Sequence, residues 1–546
     1  MILTSDYAKS GAARAVPGAY YDKEKRAWVM SDPTPRAAAV AMRLFPTLST
    51  QYPELNELRA QLGQNVRPIN YAEEYGRAIG AERVREQLAG EGKAFYRFQE
   101  IDLGYLADVL VHHGGAYLGW ERGLGKTLAT CAILDELDCR RSLVVCPNTA
   151  KQSVWADELA RWCPWLEVVV LPNEKRKREA ALSYIKTAAA VPFVLVAHYE
   201  ALSIIADERT GGRGWDRYGT WDIVVADEAH RISNPKAKMS RALKRIPAKS
   251  KLALSGSIIQ NHAEDLFSPL NWLFPNRYKS KWRDWNDRYL DFVDSGWSRV
   301  CVGVKVEKLD ELRDELGRFM CYRRKEDCLD LPKRTEETRF IELSPAQRRA
   351  YDELVESSVA ELEDGTVVSA TDAIVLLGRL RQVATGLDLV SGELVDSSKL
   401  DLAIDLITDN SDAAFVVFSW YKAAAYSMAS RLEALGIGHY VVTGDTPHDT
   451  RARYIQEFQE GSGQVFIGTL STLGESVTLH RASNAIFLDR SWNPATNDQG
   501  ADRIYRIGQK NPVTITHLVA RGTVDELRVL RVIQDKSALR ELILGG

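Results

Sequence analysis

Gly123-Leu124-Gly125-Lys126-Thr127 combines, in five residues, the groups needed to hold a polyphosphate. The glycines let backbone N–H groups close on phosphate oxygens. The lysine reaches the β- and γ-phosphates, and the threonine hydroxyl is a ligand for Mg²⁺. The pentapeptide follows a short apolar run, Ala116-Tyr117-Leu118, and opens a helical pattern from Leu128 to Leu137. This is the strand–loop–helix setting that lets a helix N-terminus add its field to the anion site. Trp120 stands where the usual GxxxxGK[ST] spacing has its first glycine. A second group of chemical side chains is Asp227-Glu228-Ala229-His230, which ends the expected strand Trp221 to Ala226. An Asp-Glu pair at a strand end is ordinary by itself. At the carboxyl edge of a parallel strand beside a phosphate loop it is where Mg²⁺ is held. Asp227 is therefore expected to hold the metal through water, and Glu228 to orient and deprotonate an attacking water. The predicted cofactors are ATP and Mg²⁺.

Two regions show the α/β rhythm of short β-rich runs followed by helical patterns, and both groups lie in the first. In the first, from about residue 95, the expected strands are 143–146, 193–196, 223–226 and 252–254, with helical patterns such as 150–162 between them. In the second, from Lys399, they are 415–418, 440–442, 465–467 and 485–488, with helices at about 421–435 and 449–459. The runs are continuously apolar and not alternating, as a parallel sheet covered on both faces requires. The segment near 276–395 reads as helical and charged. In residues 1–90, Val16 to Val29 reads as two short strands around a charged turn, followed by mostly helical patterns.

The 546 residues suit several domains, and 45% hydrophobic with 27% charged is an ordinary globular balance, which excludes a mostly disordered chain. With 74 acidic against 71 basic side chains the net charge is −3, which excludes a strongly basic packaging protein but not local basic clefts. No apolar run is long enough to span a bilayer, and the first residues reach charge before any leader-like core, so a cytoplasmic chain with no membrane partner is expected. The seven cysteines form no CxxC pair and predict reduced thiols. The run Lys175-Arg176-Lys177-Arg178 reads as a solvated face.

GLGKT, DEAHRISN (Asp227 to Asn234), LSGSIIQN (Leu254 to Asn261) and DRSWNPATNDQGADRIYRIGQ (Asp489 to Gln509) together resemble the Swi/Snf-type ATPases, the remodeller-like branch of the superfamily-two helicases. The likeness extends over about residues 91–535, and Asp502 to Gln509 is its most specific string. It implies two tandem RecA-like parallel-sheet domains with a small N-terminal α+β region. The resemblance makes Gln99, in Tyr96-Arg97-Phe98-Gln99, the adenine-reading residue beside Gly123, Leu124, Gly125, Lys126 and Thr127. It assigns Gln499, Arg503 and Arg506 to the completion of the ATP site, the two arginines lying three apart on one face of an expected helix. His230 and Ser255-Gly256-Ser257 resemble elements that link nucleotide state to DNA contact. Lys151, Lys399, Thr469 and Ser471 are the implied DNA phosphate contacts. Departures are Ser257-Ile258 where Thr-Pro is usual, a run at 472–476 poorer in glycine, and Tyr505 where His is common.

The implied organisation is an accessory region over 1–90, whose hairpin resembles the HARP-type module of annealing helicases, a nucleotide-binding lobe over 91–330, a helical inter-lobe region over 331–395, and a second lobe with a C-terminal brace helix over 396–546. The implied activity is DNA-stimulated ATP hydrolysis driving translocation on duplex or branched DNA with little sequence preference. A strand-separating or strand-annealing helicase is the nearer alternative. A catalytically inactive DNA-binding scaffold is the alternative of another class.

Overall fold

A computed structural model of the chain describes residues 69–187, 191–206, 214–259, 262–279, 282–294, 299–363, 370–391, 397–473, 477–506 and 508–544. Before residue 69 it describes 1–5, 19–23, 25–31 and a few isolated positions. The chain divides into two compact units. One comprises Met1–Cys328 with Asp535–Gly546, the other Leu329–Gln534. The last helix, Arg531–Leu544, therefore belongs mostly to the first unit.

Among the described residues, eighteen strands are numbered in chain order. β1 (Ile2–Thr4), β2 (Ala19–Asp22) and β3 (Ala27–Met30) form a small antiparallel sheet in the order β1-β3-β2. The expected hairpin is β2 and β3, with Tyr20 opposite Val29 and Tyr21 opposite Trp28.

The first unit carries a seven-stranded, wholly parallel sheet. Its strands are β4 (Gly115–Trp120), β5 (Arg141–Cys146), β6 (Glu167–Val170), β7 (Phe193–His198), β8 (Trp221–Asp227), β9 (Ala248–Leu254) and β12 (Met320–Arg323), in the spatial order β12-β4-β9-β8-β5-β7-β6. A separate hairpin joins β10 (Leu290–Asp294) to β11 (Arg299–Val304). All six residues of β4 and of β7 are buried, and hydrophobic burial of this kind is the main stabilising contribution. Register places the chemistry. Leu118 of β4 and Asp227 of β8 both pair with Leu254 of β9. The phosphate loop and the Asp-Glu pair therefore leave the same edge of the sheet two strands apart, roughly 10 Å at the usual strand spacing.

The second unit carries a six-stranded parallel sheet of β13 (Arg334–Ile341), β14 (Phe415–Ser419), β15 (His439–Val442), β16 (Val465–Thr469), β17 (Asn484–Phe487) and β18 (Val513–Ala520), ordered β13-β18-β17-β14-β16-β15. Successive side chains alternate between two cores. Val416, Phe418, Phe466 and Phe487 fill one, and Phe415, Val417, Ile467 and Ile486 fill the other. That alternation is why the runs are apolar without interruption. The segment 331–395, expected to be helical, opens with β13, which pairs in parallel with β18 from Arg334–Val513 to Ile341–Ala520. The expected helices follow at Pro345–Glu363 and Ala370–Thr385.

Candidate functional site

The loop after β4 runs into the helix Lys126–Glu136, with Gly123 at φ 88° and Gly125 at φ 89°. Both are left-handed conformations that side chains disfavour. A Cβ on Gly125 would also lie 2.9 Å from Gln99 Nε2. Leu124 is buried beneath the loop. The Lys126 ammonium is folded back, with Nζ donating to Trp120 O at 2.9 Å and Glu121 O at 3.3 Å. Loss of hydration lowers its pKa, with the Glu228 carboxylate opposing that shift. Thr127 follows at the second position of the helix.

Trp120 does not line the phosphate cradle. Its indole is fully buried, and Nε1 donates to Asp102 Oδ2 at 2.8 Å. Asp102 also accepts Asn70 Nδ2 at 3.0 Å, Arg323 Nε at 3.1 Å and Arg323 Nη2 at 2.8 Å. The residue that departs from the glycine pattern therefore ties the root of the loop to β12 and to the helix Arg97–His113. Gln99, on the same helix, donates Nε2 to Leu124 O at 3.0 Å and accepts Tyr96 N–H at 3.0 Å. Its amide braces the loop from beneath, with both ends engaged by the protein.

Across the edge, Asp227 accepts Trp155 Nε1 on Oδ2 at 2.9 Å and the Glu228 N–H on Oδ1 at 3.0 Å. Tyr199 Oη donates to Asp227 O at 2.6 Å. Burial first, and the Glu228 charge second, raise the Asp227 carboxyl above its ordinary range. Glu228 adopts φ 51°, an uncommon conformation for a side-chain-bearing residue. Its Oε1 lies 3.2 Å from Arg122 Nη2, and its Oε2 lies 3.3 Å from His230 Nδ1 and 3.4 Å from Ser255 Oγ. Burial would raise this carboxyl, yet Arg122, His230 and Lys126 together hold it well below the ordinary value. His230 and Ser255 share a 3.0 Å hydrogen bond. Gly256 lets this turn approach the phosphate loop, since a Cβ there would lie 3.1 Å from Trp120 O and 3.2 Å from Arg122 N. The Ser257 that replaces the usual Thr is buried, and its N–H donates to Ser255 Oγ at 3.1 Å.

Sequence reasoning missed two residues here, Arg122 and Trp155, which reach the two carboxylates. The spacing of GLGKT and DEAH carried no signal for them.

In the second unit, Gln499 lies in the helix Pro494–Ala501. That helix ends before the two arginines, which corrects the expectation that they share a helical face. Backbone bonds from Arg503 N–H to Gly500 O and from Ile504 N–H to Ala501 O make turns there instead. Both side chains nevertheless reach one neighbouring segment. Arg503 Nη1 donates to Val477 O at 3.2 Å, and Arg506 Nη1 to Thr478 Oγ1 at 2.7 Å. Gln509 is a staple, its Nε2 donating to His480 O, Ala482 O and Ile504 O.

Two of the four expected DNA contacts are not surface cations. Lys399 is fully buried, donating to Leu488 O at 2.9 Å and paired with Asp525. Lys151 is 7% exposed, donating to Leu171 O at 2.9 Å and Asn173 Oδ1 at 2.8 Å. Both ammoniums brace the fold in place of the expected phosphate contact. Thr469 is also buried, donating to Thr472 Oγ1 at 2.8 Å, while Ser471 is exposed just beyond the carboxyl end of β16. Gly474, Glu475 and Ser476, of the glycine-poor run, lie outside the described residues.

Comparison with known proteins matches residues 54–389 to the SNF2-related domain and residues 398–508 to the helicase conserved C-terminal domain. Residues 1–53, with the hairpin, lie outside both. The chain is 27% identical over 469 residues to the human SWI/SNF-related matrix-associated actin-dependent regulator of chromatin subfamily A member 1, covering 82% of this chain and 43% of that protein. It is 26% identical over 478 residues to human DNA excision repair protein ERCC-6, covering 80% and 31%. To the putative ATP-dependent helicase/translocase YwqA of Bacillus subtilis it is 25% identical over 482 residues, covering 82% and 48%. The chain thus spans less than half the length of each of these relatives. A solved structure, the Sulfolobus solfataricus SWI2/SNF2 ATPase core in complex with dsDNA, aligns at 24% identity over 83% of this chain and 93% of that one, with a TM-score of 0.39.

Proposed function

We propose, from the premise that this chain belongs to the SNF2-related family of helicase-like ATPases, that it hydrolyses ATP in response to DNA and uses the energy to move along the duplex. The observation that carries the reading is the row Leu118–Leu254–Asp227, which sets the glycine loop and the two carboxylates on one sheet edge. The donor set suits a magnesium nucleotide. Thr127 and Asp227 would hold Mg²⁺, which neutralises phosphate charge when bound. Gly123, Leu124 and Gly125 would offer backbone N–H groups. Lys126 would exchange the carbonyls of Trp120 and Glu121 for phosphate oxygens, and Glu228 would accept a proton from water. Gln499, Arg503 and Arg506 keep the roles in nucleotide binding and hydrolysis that the family resemblance gives them, and Gln99 would read adenine by exchanging its bonds to Leu124 O and Tyr96 N–H for the base. Contacts to DNA phosphates position a protein without reading sequence. Little sequence preference and a steep fall of DNA affinity with salt are therefore expected.

The test is ATP turnover by the full chain with and without duplex DNA. Turnover is expected to rise with duplex and to lose that response as salt increases. Background turnover in both conditions would favour an inactive scaffold, and displacement of a strand from forked DNA would favour a helicase.

Trp155 offers a further check. Trp155→Phe keeps an aromatic ring but removes the N–H that Asp227 Oδ2 accepts. A hydrogen bond to a charged group contributes about 1.5–3 kcal/mol, so Mg²⁺-dependent nucleotide affinity is expected to fall about tenfold or more. Titrations with and without Mg²⁺ would reveal it, and an equal loss in both would refute the link to the metal-holding carboxylate.

A further inference from the structure

Arg122 has no part in the scheme above, yet it is the nearest cation to the proposed base. It immediately precedes Gly123, its side chain is 15% exposed, and its Nη2 and Nε stand 3.2 and 3.4 Å from Glu228 Oε1. The other carboxylate oxygen faces His230 Nδ1 at 3.3 Å and Ser255 Oγ at 3.4 Å. A carboxylate with both oxygens engaged and its charge offset is a poor proton acceptor, which conflicts with the work asked of Glu228. A planar guanidinium fork suits phosphate as well as carboxylate, and Arg122 is covalently part of the loop proposed to wrap the phosphates. A terminal phosphate carries more charge than a carboxylate and is the natural competitor for this fork.

We infer that Arg122 is a positioning residue that locks Glu228 in an ion pair until the terminal phosphate of a nucleotide draws the guanidinium away and releases the carboxylate. The inference rests on the ATP-hydrolysis reading and deepens it by naming the device that keeps the base inactive without ATP. Because one guanidinium serves two anions, Glu228 and the terminal phosphate are coupled through it. The apparent affinity for a triphosphate is then reduced by the fraction of time that Arg122 stays with Glu228. ADP, lacking the terminal phosphate, does not feel the lock.

The experiment measures equilibrium binding of a non-hydrolysable ATP analogue and of ADP, each with Mg²⁺, to the full chain as wild type, Arg122→Met, Glu228→Gln and the double variant. Glu228→Gln removes the charge that holds Arg122, so it is expected to bind the analogue roughly tenfold tighter than wild type. ADP affinity is expected to change by less than about twofold. In the Arg122→Met background the gain from Glu228→Gln should vanish, because no guanidinium remains to be freed. An equal gain in both backgrounds, or an equal gain for ADP, overturns the lock. Should Arg122→Met melt too early to be assayed, Arg122→Lys supplies the second background. It keeps the charge without the fork, and the gain there should shrink to roughly threefold; an undiminished gain again overturns the lock. Failure of the wild type to bind either nucleotide, with Lys126→Ala no different, refutes the ATP site itself and is a separate outcome.

Discussion

Glu228→Gln is expected to lower kcat for ATP by about 10²–10⁴-fold, the usual contribution of a positioned general base, while nucleotide capture persists. Glutamine keeps the shape of the side chain with a neutral amide in place of the carboxylate, so the left-handed turn at φ 51° need not rearrange. It loses the capacity to take a proton from water. Lys126→Ala is expected to fail at an earlier step. Its ammonium now donates to Trp120 O and Glu121 O, and removing it leaves the loop without its point charge for the β- and γ-phosphates. The two variants thus separate. Single-turnover kinetics should show Glu228→Gln binding ATP and holding it uncleaved, whereas Lys126→Ala should show raised KM and weak nucleotide fluorescence changes. Unchanged turnover in Glu228→Gln would remove the base from Glu228, and unchanged KM in Lys126→Ala would remove the loop from nucleotide binding.

The parts of this site that were legible in the sequence are those carried by local rules. The runs at Leu143, Phe193, Ile223 and Val465 are apolar without break because both faces of each sheet are covered, and the glycines of GLGKT occur where φ is positive. Legibility fails where a tertiary contact decides. β13 reads Arg-Thr-Glu-Glu-Thr-Arg-Phe-Ile and carries mostly polar side chains. It is an edge strand, so only one partner and little burial define it, and its charges mask a β-rich run. β6 is likewise an edge strand and partly exposed. The spacing of Arg503 and Arg506 is compatible with a helix, but Gly500 and Ala501 precede the end of regular structure, and the carbonyl of Val477 supplies the partner that sequence spacing cannot reveal. Trp155 and Arg122 belong to the same class. Nothing near them in sequence announces Asp227 or Glu228, and only the strand order β9-β8-β5 brings Trp155 to the end of β8.

The same limit explains Lys399, and it gives the second large effect. A lysine beside a helix start reads as a surface cation, but here the ammonium is fully buried, bound to Leu488 O and paired with an Asp525 that is itself 7% exposed. Lys399→Ala would leave the Asp525 charge uncompensated in the interior. Breaking a buried pair from one side costs about 3–5 kcal/mol, while replacing both partners by apolar residues of similar volume costs far less. Lys399→Ala is therefore expected to destabilise the second unit by about that amount. Lys399→Met combined with Asp525→Leu should recover most of the loss, and this rescue distinguishes a lost ion pair from a lost side-chain volume. Because the chain has two units, a single melting midpoint is a poor measure. Hydrogen exchange of the amides at 484–487 and 513–520, which lie on the strands this pair secures, is the appropriate readout, with faster exchange expected in Lys399→Ala and near-normal protection in the double variant. A DNA phosphate contact predicts the opposite pattern, with exchange unchanged in Lys399→Ala and the salt dependence of DNA binding flattened by about one charge.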